Sequence, residues 1–182
     1  MHVIRVSLMG CFIATLSATA SAQDARRVGL TTGYPGVIGI LWHASERIAI
    51  RPEFSFTKND SSSESTFANA ASDFWSFGTG VSLLFFAPLR DNLKTYVSPR
   101  FAYTRTSGGS DTTDSTVDAY SVSGALGGHY SLGQRFALFG ELGISYSHQT
   151  GSITSSLAPT FQTTNRGDSI STRTAVGIVL YF

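Results

Sequence analysis

From Ser169 to Phe182 the chain alternates, with Ile170, Thr172, Thr174, Val176, Ile178, Leu180 and Phe182 on one side and Ser171, Arg173, Ala175, Gly177, Val179 and Tyr181 on the other. A period of two sustained this long predicts a strand, longer than most globular strands and suited to crossing a bilayer at a tilt. One face is lipid-like and the other carries Arg173. In lipid each unpaired backbone group costs several kcal/mol, so such a strand must belong to a closed barrel.

Upstream, the turn signals alternate between short and long. The short ones are 44–46, 87–93 and 131–135; the long ones, rich in Ser, Thr, Asn, Asp and Gly, are 59–72, 106–117 and 150–167. Between them lie alternating strands at 36–43, 47–58, 73–86, 94–105, 118–130 and 136–149. Barrels of this kind have even strand numbers, so a further strand is expected over 26–33, joined to the next by a tight turn at Gly33-Tyr34-Pro35-Gly36. A single strand from Val28 to His43 competes with that reading, but Pro35 would remove a ladder hydrogen bond from it. The prediction is an all-β, antiparallel up-and-down transmembrane barrel of eight strands, with the short turns periplasmic and the long loops extracellular.

The pleat assigns the facing. Phe136, Leu138, Leu142, Ile144 and Tyr146 point outward, while Ala137, Phe139, Glu141, Ser145 and Ser147 point inward. Ile48, Ile50, Pro52, Phe54 and Phe56 face out with Arg51 and Glu53 inside, and Val97, Pro99, Phe101 and Tyr103 face out with Arg100 inside. Arg51, Glu53, Arg100, Glu141 and Arg173 therefore share the lumen, where ion pairing is expected because an unpaired charge there is costly. A soluble lipocalin-like barrel would show the opposite pattern. The outward aromatics gather near strand ends, Trp42 and Tyr130 toward the periplasm and Trp75, Tyr103, Tyr120 and Tyr146 toward the outside, as interfacial girdles do.

The first residues add an address. Arg5 precedes an apolar run from Val6 to Leu16, and Ala20-Ser21-Ala22 offers a small-residue cleavage site, so residues 1–22 read as a signal peptide and 23–182 as the barrel. Cys11 is the only cysteine and lies in that leader, so disulfides are not expected in the mature chain. The stretch Leu8-Met9-Gly10-Cys11 is similar to a lipoprotein box, but the apolar run continues past it, and lipidation is not expected. Losing Arg5 leaves twelve basic and twelve acidic residues, and no basic patch suggests nucleic acid.

The spaced Gly177, Leu180 and Phe182 resemble the C-terminal assembly signal of outer-membrane barrels, with Ala175 at the usually polar position. The whole mature chain resembles the small eight-stranded OmpA/OmpX-type barrels. The resemblance implies insertion by the barrel-assembly machinery and supports no specific activity.

Several constellations carry candidate chemistry. His129-Tyr130-Ser131 is similar to the His-x-Ser of lipid A deacylases, which are also eight-stranded. Ser131, however, falls in a periplasmic turn, Leu132 stands where that family has Asn, and the motif normally lies nearer the C-terminus. His129 is read as capping the lumen. Arg166-Gly167-Asp168, at the end of the longest loop, spells an integrin-binding tripeptide that arises easily in such a segment. Asp111, Asp114 and Asp118 lack a recognised Ca²⁺-loop spacing, and His43 and His148 have no partner at ligand spacing, so neither metal nor cofactor is expected. Asp60, Glu64, Asp73, Asp111, Asp114, Asp118 and Asp168 against Lys58, Arg105 and Arg166 make the outer face acidic.

The expected protein is thus a monomeric barrel of the bacterial outer membrane, not an enzyme, released from its leader near Ala22. Polar side chains plug its lumen, and its role is structural or carried by the surface loops. The expected partners are outer-membrane lipids, lipopolysaccharide, the assembly machinery and an extracellular ligand of the loops. A small porin-like channel is the first alternative, and a lipid A-modifying enzyme the second.

Overall fold

The computed structural model describes residues 28–64, 69–90, 92–110, 113–155 and 161–182. The leader assigned to 1–22 and the cleavage site lie outside them. Eight strands follow one another: β1 (Val28–Tyr34), β2 (Val37–His43), β3 (Ile48–Glu64), β4 (Asn69–Arg90), β5 (Leu93–Ser110), β6 (Thr113–Ser131), β7 (Phe136–Ser155) and β8 (Phe161–Tyr181). Each pairs antiparallel with the next, and β8 returns to β1 from Gly29↔Tyr181 to Tyr34↔Val176, closing the barrel.

The alternation decides which face is which. Leu126, Leu142, Ile144 and Val176 are exposed on the outer wall, whereas Ala125, Ala137, Ala175 and Val179, at the opposite parity, are buried within it. Inside, Leu41, Leu84, Phe86, Tyr96, Val179 and Tyr181 pack together toward the end that carries the short turns. Apolar side chains thus cover the outside while mixed polar and aromatic ones fill the inside, the arrangement of a membrane barrel rather than a soluble one.

The turn at Gly33-Tyr34-Pro35-Gly36 is present, and it rules out one continuous strand from Val28 to His43. Gly33 pairs with Val37, the Tyr34–Pro35 peptide is cis, and Gly36 takes a φ of 57°, a left-handed conformation that glycine adopts without a Cβ penalty. Proline alone does not break these strands. Pro52 lies inside β3 and Pro99 inside β5. Each coincides with an interruption on one side: the β2–β3 ladder skips from Glu53 to Ile50, and the β4–β5 ladder skips from Arg100 to Val97. The missing N–H is the cause, and the ladder on the other side continues.

The three segments expected to be long loops are corrected by the structure. Over 59–72, 106–117 and 150–167 the strands run on, to Glu64 and from Asn69, to Ser110 and from Thr113, and to Ser155 and from Phe161. The short turn expected over 87–93 shrinks likewise, with β4 reaching Arg90 and β5 starting at Leu93. Ser, Thr and Gly read as loop residues because they are polar, yet a ladder needs only backbone partners and no apolar face. Side chains then join across it: Ser76 Oγ lies 3.1 Å from Thr106 Oγ1, and Ser107 Oγ 3.5 Å from Thr116 Oγ1.

One pair of strands stays short. β1 and β2 have seven residues each, whereas β3 to β8 have between 17 and 22. The β2–β3 ladder ends at Ile38↔Phe54 and the β1–β8 ladder at Tyr34↔Val176. Beyond the tip of that hairpin no ladder joins β3 to β8 among the described residues.

Candidate functional site

The inward-facing charges of β3, β5, β7 and β8 meet in one chain of ion pairs. Arg100 Nε donates to Glu53 Oε2 at 2.6 Å. Arg51 Nε lies 2.8 Å from Glu53 Oε1, off the N–H direction, so this is a charge contact rather than a hydrogen bond. Arg51 Nη2 donates to Glu141 Oε1 at 2.6 Å, and Arg173 Nη1 donates to Glu141 Oε2 at 2.6 Å. The order is Arg100, Glu53, Arg51, Glu141, Arg173, with charges alternating throughout. Arg51, Glu53 and Glu141 are buried, while the two terminal arginines keep 17% of their side-chain surface exposed. Since β3 and β7 stand four places apart in a ring of eight, the Arg51–Glu141 contact joins opposite walls.

Sequence pattern alone missed what surrounds this chain. Tyr96 shares the parity of Arg100 and donates its hydroxyl to Glu141 Oε1 at 2.9 Å, while the Phe139 ring lies 5.2 Å beneath the Arg51 guanidinium. Next to them is an aromatic layer. His43 stacks on Phe86 at 5.3 Å, Phe86 meets Tyr96 at 5.1 Å, and His129 meets Phe86 edge-on at 5.9 Å. The Tyr181 hydroxyl lies 2.9 Å from His129 Nε2 and 3.2 Å from His43 Nε2. His43, read from spacing as isolated, is therefore joined to His129 through Tyr181. Alternation placed Tyr181 on the face of Arg173, but sequence could not show that β2, β4, β5, β6 and β8 bring these rings to one height.

The C-terminal residues divide by face. Leu180 and Phe182 are exposed outside, and Phe182 N donates to Val28 O at 3.1 Å. Gly177 faces inward, where a Cβ would meet the Thr32 backbone oxygen and come within 2.7 Å of the Phe139 ring. Glycine is required there by close approach.

All six expected interface aromatics stand on outward positions. Trp42 and Tyr130 lie near the short-turn end; Tyr103 pairs with Tyr120, their rings 5.0 Å apart, while Trp75 and Tyr146 lie toward the tall hairpins. Beside the latter, Tyr103 donates to Asp118, and Arg105 lies 3.8 Å from the same carboxylate. Tyr146 OH donates to Asp168 Oδ1 at 2.7 Å, and His148 Nδ1 lies 2.8 Å from that oxygen. The hydrogen bonds from His148 and then Tyr146 hold the Asp168 carboxyl below the usual carboxylate range.

These contacts correct two expectations. Arg166-Gly167-Asp168 lies within β8, paired to Thr150, Gln149 and His148, and not in a loop, because the extended ladder absorbs it. His148, read as isolated, has Asp168 as its neighbour. Asp111 lies outside the described residues, and no group of three metal-ligating side chains occurs among those described. Glu141 is engaged by Arg51, Arg173 and Tyr96, and His129 by Tyr181, so neither is presented to Ser131.

No protein-family model and no curated protein sequence matches this chain. Similarity appears in three dimensions. A major outer membrane protein from Thermus thermophilus superposes with a TM-score of 0.56 at 12% identity, covering 85% of this chain and 97% of that one. CarO2 from Acinetobacter baumannii gives a TM-score of 0.47 at 11% identity, covering 86% and 98%. The ring of eight antiparallel strands with apolar side chains outside and paired charges inside has the fold of the small outer-membrane β-barrels.

Proposed function

We propose that the protein is an integral barrel of the bacterial outer membrane, monomeric and non-catalytic, with a closed lumen and a role carried by its surface hairpins. In this reading the short turns face the periplasm and the tall hairpins face outward. Outer-membrane lipids and lipopolysaccharide surround the wall, and the barrel-assembly machinery inserts it after leader cleavage. The fold and the outward apolar wall support the membrane placement.

The observation that carries the closed lumen is the Arg51–Glu141 contact, which ties opposite walls together at 2.6 Å with Tyr96 on the same carboxylate. The His43, Phe86, His129 and Tyr181 rings fill the space next to it toward the short turns. An eight-stranded barrel is just wide enough for side chains to fill. Ions would have to part both layers to cross.

Planar-bilayer recording of the refolded protein tests this. No unitary current is expected across the physiological voltage range. Regular current steps from the unaltered protein would overturn the closed lumen and favour the small channel, with selectivity set by the same charges.

A further inference from the structure

Above the β1–β2 hairpin the wall is open among the described residues. On β8 the segment from Val176 up to Ile170, and on β3 the segment from Phe54 up to Lys58, have no described strand between them. Ladder register fixes their height: Ile170 stands opposite Tyr146 and Lys58 opposite Trp75, so the gap begins several residues below that aromatic row. At strand rise and barrel tilt this corresponds to about 10 Å of the outer leaflet. The gap therefore opens sideways into the membrane as well as upward.

Three features describe what could fill it. First, no ladder among the described residues satisfies the outward N–H and C=O groups of these two strand edges, and such groups cannot face acyl chains and are tolerated at that depth only against polar matter. Second, the outer rims of the banks are mainly apolar, with Thr172 and Thr174 between Ile170 and Val176 on β8. Ile170, Tyr34 and Phe56 are 77%, 72% and 67% exposed, among the highest values for large apolar residues described.

Third, the interior behind the gap is positive. Three arginines face two glutamates in the ion-pair chain, leaving one charge in excess. Arg173 stands on the β8 edge itself and donates Nη1 to Glu141, Arg100 donates Nε to Glu53, and each keeps 17% of its side-chain surface exposed. A cavity of about 70 Å³ lies between Arg100, Phe54, Ser55, Thr104 and Ser121, next to the β3 bank, with the Glu53 carboxylate, itself paired to Arg100 and Arg51, also in its wall. That volume suits a small anionic group.

We propose that this gap is a docking site for an anionic amphiphile of the outer leaflet, its phosphate or carboxylate headgroup drawn in toward Arg173 and Arg100 and its chain left in the bilayer beside Tyr34, Phe56 and Ile170. The headgroup oxygens accept hydrogen bonds from the exposed parts of these guanidinium groups and from the strand edges. A bare acyl chain satisfies neither, and a neutral headgroup leaves the excess charge uncompensated. The site rests on the membrane placement proposed above.

The test is electron spin resonance on the folded protein in phosphatidylcholine vesicles, comparing spin-labelled phosphatidic acid with spin-labelled phosphatidylcholine at the protein surface. The expected preference for the anionic probe is about fivefold. It should fall toward one in R100Q and R173Q, persist in R173K, and be lost in S171W, which blocks the gap with the charges intact. Equal affinity for both probes in the folded wild type overturns the site, as does a preference that survives R100Q, R173Q and S171W alike.

Displacement of the lipid probe by inorganic phosphate alone would assign the site to a free anion and overturn the amphiphile. Slowed hydrogen exchange along residues 163–174 with an added strand-forming peptide, but not with phosphatidic acid, would assign the edge to a peptide and overturn the proposal equally. Failure of the barrel to insert into vesicles at all is a separate result, read from unchanged mobility in unheated gels, and it overturns the membrane placement instead.

Discussion

At the residue scale, Glu141 holds the most consequential position. Its carboxylate is buried and accepts from Arg51, Arg173 and Tyr96. Glu141→Gln leaves Arg173 without its counter-charge and Arg51 with Glu53 alone, and breaking buried pairs in this way costs about 3–5 kcal/mol. A urea-unfolding midpoint in detergent micelles should drop accordingly, and an unchanged midpoint would show that the chain of ion pairs contributes little. Asp168 titrates in the opposite regime, exposed on the outer wall. Its folded pKa is depressed, so the stability it contributes is present above the ordinary carboxylate range and is lost as pH falls through the folded value. Carboxyl carbon chemical shifts should report a midpoint below that of an ordinary aspartate, and His148→Ala or Tyr146→Phe should move it upward. Parity in the sequence was enough to place Glu141 inside, because a strand turns every second residue to one face. It was not enough to pair His148 with Asp168, since that depends on the β7–β8 register and on β8 starting before the expected 169.

At the scale of elements, polarity proved a poor guide to where strands end. The segments 59–72, 106–117 and 150–167 have loop composition, yet backbone pairing carries the hairpins to within a few residues of their tips. Proline was an equally uncertain stop: Pro52 and Pro99 interrupt a single ladder and the strands continue. What ends β1 is the left-handed Gly36. Gly36→Val should cost about 1–2 kcal/mol by placing a β-branched residue at positive φ. Thermal unfolding of the reconstituted variant measures it, and a loss near zero would mean that the turn rearranges freely. Between 59 and 72 the chain has neither glycine nor proline to break a strand, in contrast to 33–36.

For the whole molecule, the tall hairpins rise about 20 Å beyond the outer aromatic row, judged from strand rise and tilt. They are bonded to each other and not to the lumen charges, so they should be separable from the barrel. Removing residues 150–167 and closing β7 to β8 with a short turn should leave a barrel that still folds, seen as a heat-modifiable band, while abolishing any binding to host or envelope surfaces. Binding that survives the deletion would move the role away from this hairpin. The sequence by itself determined the number of strands, their order, which face of each meets lipid and which five charges enter the lumen. Those properties follow from a period of two and a handful of turns, which are local. Only the tertiary structure decided that Arg51 reaches Glu141 on the opposite wall, that Tyr181 joins two distant histidines, and that no ladder among the described residues joins β3 to β8 above a short first hairpin. Register and closure set these, and they depend on every strand's stagger at once rather than on any one strand's pattern.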